Sequence, residues 1–169
     1  MALERYDNQM GGETLVVPVG TALSKVPDDF RGLLTPEIEA AFVESRTFFK
    51  GLPKRAVLPE FKRWLSMLAA TGLKAMELHT SDCIGNAVLF RFAPNSGMCP
   101  AITMPQPVAG LQLPDTLHSI YQVIGEIKHY GWEEAGGLSR AENICSITNA
   151  CAWLNDELDE DPSQCHVFY

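Results

Sequence analysis

The chain has 169 residues, 46% of them hydrophobic and 20% charged, and a formal net charge of −8. That length suits one domain and supplies enough apolar side chains for a sizeable core. No apolar run approaches the roughly 18 residues that a membrane helix needs, and net negative charge disfavours nucleic acid and anionic membrane as partners.

The opening MALERYDNQMGGE lacks a basic head followed by an apolar stretch, so the expected location is cytoplasmic. Residues 1–34 have few periodic signals. Thr14–Val19 reads as a short strand that Pro18 demotes to an edge or to none, and Asp28–Asp29 after Pro27 reads as a turn. The first helix is expected over 36–49: Thr35 can cap it, Pro36 fits its first position, and Ile38, Ala41, Phe42 and Phe49 share one face. Gly51 and Pro53 stop it. A second helix is expected over 59–71, started by Pro59 and ended by Gly72, with Leu58, Phe61, Leu65 and Leu68 at helical spacing.

The pattern then changes. Residues 75–79 and 86–92 read as two strands around the turn formers Ser81, Asp82 and Gly85. Residues 94–110, with four prolines and two glycines, read as an irregular connection that packs down through Met98, Ile102, Met104 and Val108. A third helix is expected over 115–128 from the spacing of Leu117, Ile120, Tyr121 and Ile124. Residues 131–138 read as a loop. Ser139 with Glu142 forms a capping box, and a fourth helix runs from there to 158. Cys165–Tyr169 reads as a strand. The fold class is therefore α+β: at least four helices and a small, mainly antiparallel sheet. Residues 1–169 form a single domain, with a subdivision at 110 left open by the proline-rich stretch.

Charge is unevenly placed. Residues 133–169 hold eight acids and one base, Arg140, so nearly the whole formal charge sits in the last 37 residues. Such a field steers a basic partner. By contrast, Arg46, Lys50, Lys54, Arg55, Lys62 and Arg63 make the first helix pair basic, with Glu60 as the one acid in 46–63. Its aromatics are spaced as core residues, so a solvated face outweighs a nucleic-acid site.

Reactive motifs are weak. The five cysteines, Cys83, Cys99, Cys145, Cys151 and Cys165, are odd in number and include no Cys-x-x-Cys, which favours reduced thiols. His79 with Cys83, and Cys165 with His166, lack a second matched pair at zinc spacing, so no metal is expected. No Ser lies in Gly-x-Ser-x-Gly, and no phosphate-binding glycine loop occurs. Gly136–Gly137 opens a helix, but Glu133 and Glu134 beside it repel an anion. No catalytic residue and no cofactor is expected. The remaining enzymatic alternative is a Cys/His site drawing on Cys99, His79, Cys83, His118 or His129.

The segment LPDTLHSIYQVIGEIKHYGWEEAGGLSRAENI carries a family resemblance. It is similar to the SUKH superfamily, which includes the Smi/Knr-like regulators and many bacterial immunity proteins. Members share a Leu-Pro helix start, a helix ending near an Asn/Gly turn, and a Gly-Leu-Leu-Ser-x-x-Glu-Ile segment. The counterparts here are Leu113-Pro114, Gly131, and Gly137-Leu138-Ser139 with Glu142 and Ile144. The likeness covers about residues 111–158. The Asn-Gly turn is not literal, and about 110 residues precede the Leu-Pro. The resemblance implies a non-enzymatic α+β binder that protects a bacterium by capping a toxin's active site. An acidic protector of a basic toxin fits that role electrostatically.

The expected partner-binding residues are Trp132, Glu133, Glu134, Asp156, Glu157, Asp159 and Glu160. The first three place an aromatic anchor beside acid in a glycine-freed loop. The others close the fourth helix, where acids oppose its dipole and so do not serve the helix. A third reading is a scaffold subunit whose last strand, around Val167–Tyr169, completes a partner's sheet.

Overall fold

A computed structural model describes residues 2–8, 11–81, 86–93, 99–105, 113–130, 137–138, 145–146 and 166–167. Seven strands lie side by side in the order in which the chain makes them: β1 (Glu4–Asn8), β2 (Gly12–Pro18), β3 (Leu73–His79), β4 (Ala87–Phe92), β5 (Cys99–Thr103), β6 (Ile127–Tyr130) and β7 (Gly137–Leu138). Every neighbouring pair is antiparallel. Between β2 and β3 the chain forms α1 (Asp28–Arg31), α2 (Pro36–Val43), α3 (Ser45–Gly51) and α4 (Pro59–Thr71). Between β5 and β6 it forms α5 (Asp115–Tyr121). A separate two-stranded pair joins β8 (Cys145–Ser146) to β9 (His166–Val167). The α+β class is as expected, and the sheet is larger than expected.

Cross-strand register sorts the sheet into two faces. Leu15, Val17, Met76, Leu78, Phe90, Phe92 and Ile102 share one face and form a core with Phe30, Phe42, Phe49, Leu65 and Leu68 from the helices. Each such side chain, fully buried, contributes roughly 1.5–3 kcal/mol of apolar transfer. Phe49 makes edge-to-face contacts with both Phe90 and Phe92, pinning α3 to β4. Arg5 ties the sheet edge to α1: it pairs with Glu13 and with Asp29, and its guanidinium lies 5.3 Å from the Phe30 ring centre.

The second helix and the strands following it stand where expected. Gly72 turns α4 into β3 at φ +81°, a conformation that other residues adopt only with strain. The Thr35 hydroxyl caps α2 by accepting from the Ile38 N–H.

Six expectations need correction. The turn expected at Asp28–Asp29 is the start of α1, with both acids in the first turn of the helix. The helix expected over 36–49 is two helices, because Glu44 (φ −100°, ψ 29°) leaves helical geometry between them. The Thr14–Val19 segment is neither edge nor loop, since β2 has β1 and β3 on its two sides. Val19 N–H donates to Lys74 O, so the Pro18 nitrogen faces the other way, beyond Val16 where β1 pairing has ended. The proline therefore removes no ladder bond. The proline-rich stretch contains β5, and Pro100 lies past the last β4 pair, at Ala101, where it pairs with β6 alone. The third helix stops at Tyr121 rather than 128, and Ile127–Tyr130 is a strand. Gly137–Leu138 and Cys145–Ser146 are also strands, where a loop and a helix were expected. The rest of that fourth helix lies outside the described residues. At the other end, His166–Val167 is a strand as expected.

Candidate functional site

The turn after α5 is built by close packing. A Cβ on Gly125 would stand 2.5 Å from the Met104 carbonyl oxygen and 2.7 Å from the Thr103 hydroxyl, so only glycine lets β6 approach β5 there. Both backbone groups of Thr103 hold the turn: Gly125 N–H donates to Thr103 O, and Thr103 N–H donates to Glu126 O. The buried Thr103 hydroxyl has no hydrogen-bond partner among the described residues.

On the sheet face opposite the helices, the register gathers a row of polar side chains. Glu77 is the centre, its side chain 2% exposed. Arg91 Nη1 donates to Glu77 Oε1 at 2.8 Å, and His79 Nε2 lies 3.2 Å from Glu77 Oε2. His79 Nδ1 lies 2.9 Å from Thr14 Oγ1, and Tyr6 on β1 hydrogen-bonds Thr14 in turn. The Cys99 thiol on β5 hydrogen-bonds Arg91 on its other side, so the row crosses five strands. Burial pushes the Glu77 carboxyl up, but the His79 and Arg91 hydrogen bonds and charge outweigh it and hold it below the usual carboxylate range. Burial lowers Arg91, and Glu77, with a smaller contribution from Cys99, more than restores it, so Arg91 stands above its ordinary value. Burial, then the Glu77 charge, pushes the Tyr6 phenol up.

Chemically this is a satisfied network. Both Glu77 oxygens accept hydrogen bonds and both His79 nitrogens are engaged, so neither is poised as a free general base. Its role is to hold a charge inside the sheet and bind β2, β3 and β4 into one register. Sequence reasoning missed it. The available signal was Glu77 and His79 two residues apart on a strand, which places them on one face.

Of the expected Cys/His residues, Cys99 and His79 reach the same polar row: the Cys99 thiol hydrogen-bonds Arg91, which donates to Glu77, and Glu77 is the partner of His79 Nε2, so Arg91 and Glu77 stand between the two. His118 is exposed on α5, His129 lies on β6 opposite Pro100, and Cys83 is outside the described residues. Among the described residues, no three His, Cys, Asp or Glu side chains gather as a metal site. The expected partner-binding residues, Trp132, Glu133, Glu134, Asp156, Glu157, Asp159 and Glu160, all lie outside the described residues.

No protein-family model, no curated protein and no solved structure matches this chain. Among the described residues, no helix is long and apolar enough to cross a membrane.

Proposed function

We propose that this chain is a SUKH-like immunity protein, a non-enzymatic cytoplasmic binder that neutralises a cognate bacterial toxin by capping a basic active site. The observation that carries this reading is the concentration of charge: eight acids against one base in residues 133–169. Acid gathered in one region mimics a phosphate-rich substrate and accelerates encounter with a basic surface. Two structural features support the family likeness. The antiparallel sheet with α-helices agrees with an α+β binder, and α5 begins directly after Leu113-Pro114. Capping requires no cofactor, and neither nucleic acid nor membrane is a partner in this reading.

The test is growth protection. The product of the adjacent reading frame is expressed alone and together with this chain. Toxicity relieved by co-expression, with a complex that weakens as salt rises, is the expected result. A toxic neighbour that this chain neither relieves nor binds, even at low salt, overturns the reading. The scaffold alternative rests on β9, which pairs with β8 of its own chain and so has a partner without another protein.

A further inference from the structure

The segment from α3 to α4 is rich in cations and borders a cleft. Arg46 and Lys50 are four residues apart on α3, and Lys54 follows at the same interval in the 3-10 turn beyond it. All three are exposed, and none has a carboxylate partner among the described residues. Lys62 and Arg63 on α4 are likewise exposed and without one. Unpaired surface cations are ordinary on their own. These stand beside a cleft of about 570 Å3 between α3, the last turn of α4, and the β3–β4 pair. Buried Phe49 and Phe92 with half-buried Leu73 form its floor, and exposed Arg46, Lys50 and Ala70 its rim.

We propose that this cleft and the cationic stripe leading from it bind an acidic peptide segment of a partner protein, with one apolar side chain of the peptide seated against the accessible Ala69, Ala70 and Leu73, above the buried Phe49 and Phe92. The volume lies within the range of ligand pockets and accepts one or two large apolar side chains. The cations extend well past the cleft, which matches a chain of several carboxylates better than a single small anion. Charge complementarity selects the partner's sign, and the apolar floor selects its anchor. A nucleic acid fits less well. Phe49 and Phe92 are 3% and 1% exposed and packed edge-to-face at 4.9 Å, so they offer no open ring for base stacking. The inference rests on the described cleft residues and does not depend on the proposed function.

The experiment uses the full chain and fluorescently labelled synthetic peptides, read by anisotropy. The probe is a short glutamate-rich peptide with one central phenylalanine. Its controls replace every glutamate by glutamine, or the phenylalanine by serine. Salt-sensitive binding of the probe, with both controls weakened about tenfold or more, is expected. The double variant Arg46→Glu, Lys50→Glu should weaken probe binding by a similar factor, and Arg46→Lys, Lys50→Arg should retain it. Ala70→Phe fills the cleft from an exposed position without changing charge and should also abolish anchoring. Should the charge reversal disturb folding by circular dichroism, Arg46→Gln with Lys50→Gln replaces it. The proposal is overturned by probe binding that these variants leave unchanged, or by no binding at low salt. Tighter capture of a DNA oligonucleotide or of anionic lipid vesicles overturns it equally.

Discussion

Burying an ionised carboxylate within a sheet is costly unless its charge and lone pairs are met. Glu77 meets that condition through Arg91 and His79, and its carboxyl accordingly titrates below the ordinary value of 4.5. The sign of the linkage follows. A depressed folded value means stability that is present above pH 4.5 and lost as pH falls through the lower folded value. Glu77→Gln removes the charge and leaves Arg91 and His79 without it. Arg91 is 38% exposed and can turn to water, so the expected loss at pH 7 is about 1–3 kcal/mol, below that of a fully buried pair. Urea denaturation at pH 7 and at pH 3 checks this. The gap between native chain and variant should narrow at the lower pH, and a gap independent of pH would show that the charge is not what Glu77 contributes. Little of this was legible beforehand. A glutamate within an apolar strand signals a polar face, but its partner Arg91 is brought beside it only by strand pairing.

Whole elements were legible where local chemistry decides them. The Thr35 cap with Pro36, and the Pro59 start with the Gly72 stop, act within a few residues, and both helix starts are as expected. Elements set by distant partners were not. β1 (ERYDN) has no apolar alternation, yet β2 pairs with it across five positions. In β5 the prolines outweighed every strand signal, although Pro100 sits where the β4 ladder has already ended. The third helix was over-extended because Tyr121 and Ile124 keep helical spacing. Val123 and Ile124 are buried all the same, in the turn that Gly125 tightens.

Tyr121, at the end of α5, supplies an element-scale prediction. It is 1% exposed, and burial, then the Glu126 charge, pushes its phenol up to about 12 from 10.0. The raised value favours the neutral form in the fold. Its contribution is therefore fully present below pH 10.0 and lost as pH rises toward about 12. Thermal melts should show stability falling over that window, with the fall reduced in Tyr121→Phe. Equal alkaline loss in both proteins would mean that other groups cause it.

At the scale of the whole molecule, charge is segregated along the chain. Residues 46–63 carry six cations and one acid, whereas residues 133–169 carry eight acids and one cation. A concentration of one sign of charge steers an approaching partner before any contact forms, and that influence is greatest when salt is low. The proposed immunity function uses the acidic end, where Trp132 adds an apolar anchor beside Glu133 and Glu134. Reversing Glu133, Glu134, Asp156 and Glu157 to Lys changes the net charge by eight and turns that region from attracting to repelling a basic toxin. Association should slow by about tenfold or more at low salt, and the difference from the native chain should shrink as salt rises. Stopped-flow or surface-binding kinetics across a salt series measures both effects, with circular dichroism to establish that the variant is folded. A folded quadruple variant with unchanged association and growth protection would assign the acid to solvated surface. The search for the toxin-binding site would then move elsewhere on the molecule.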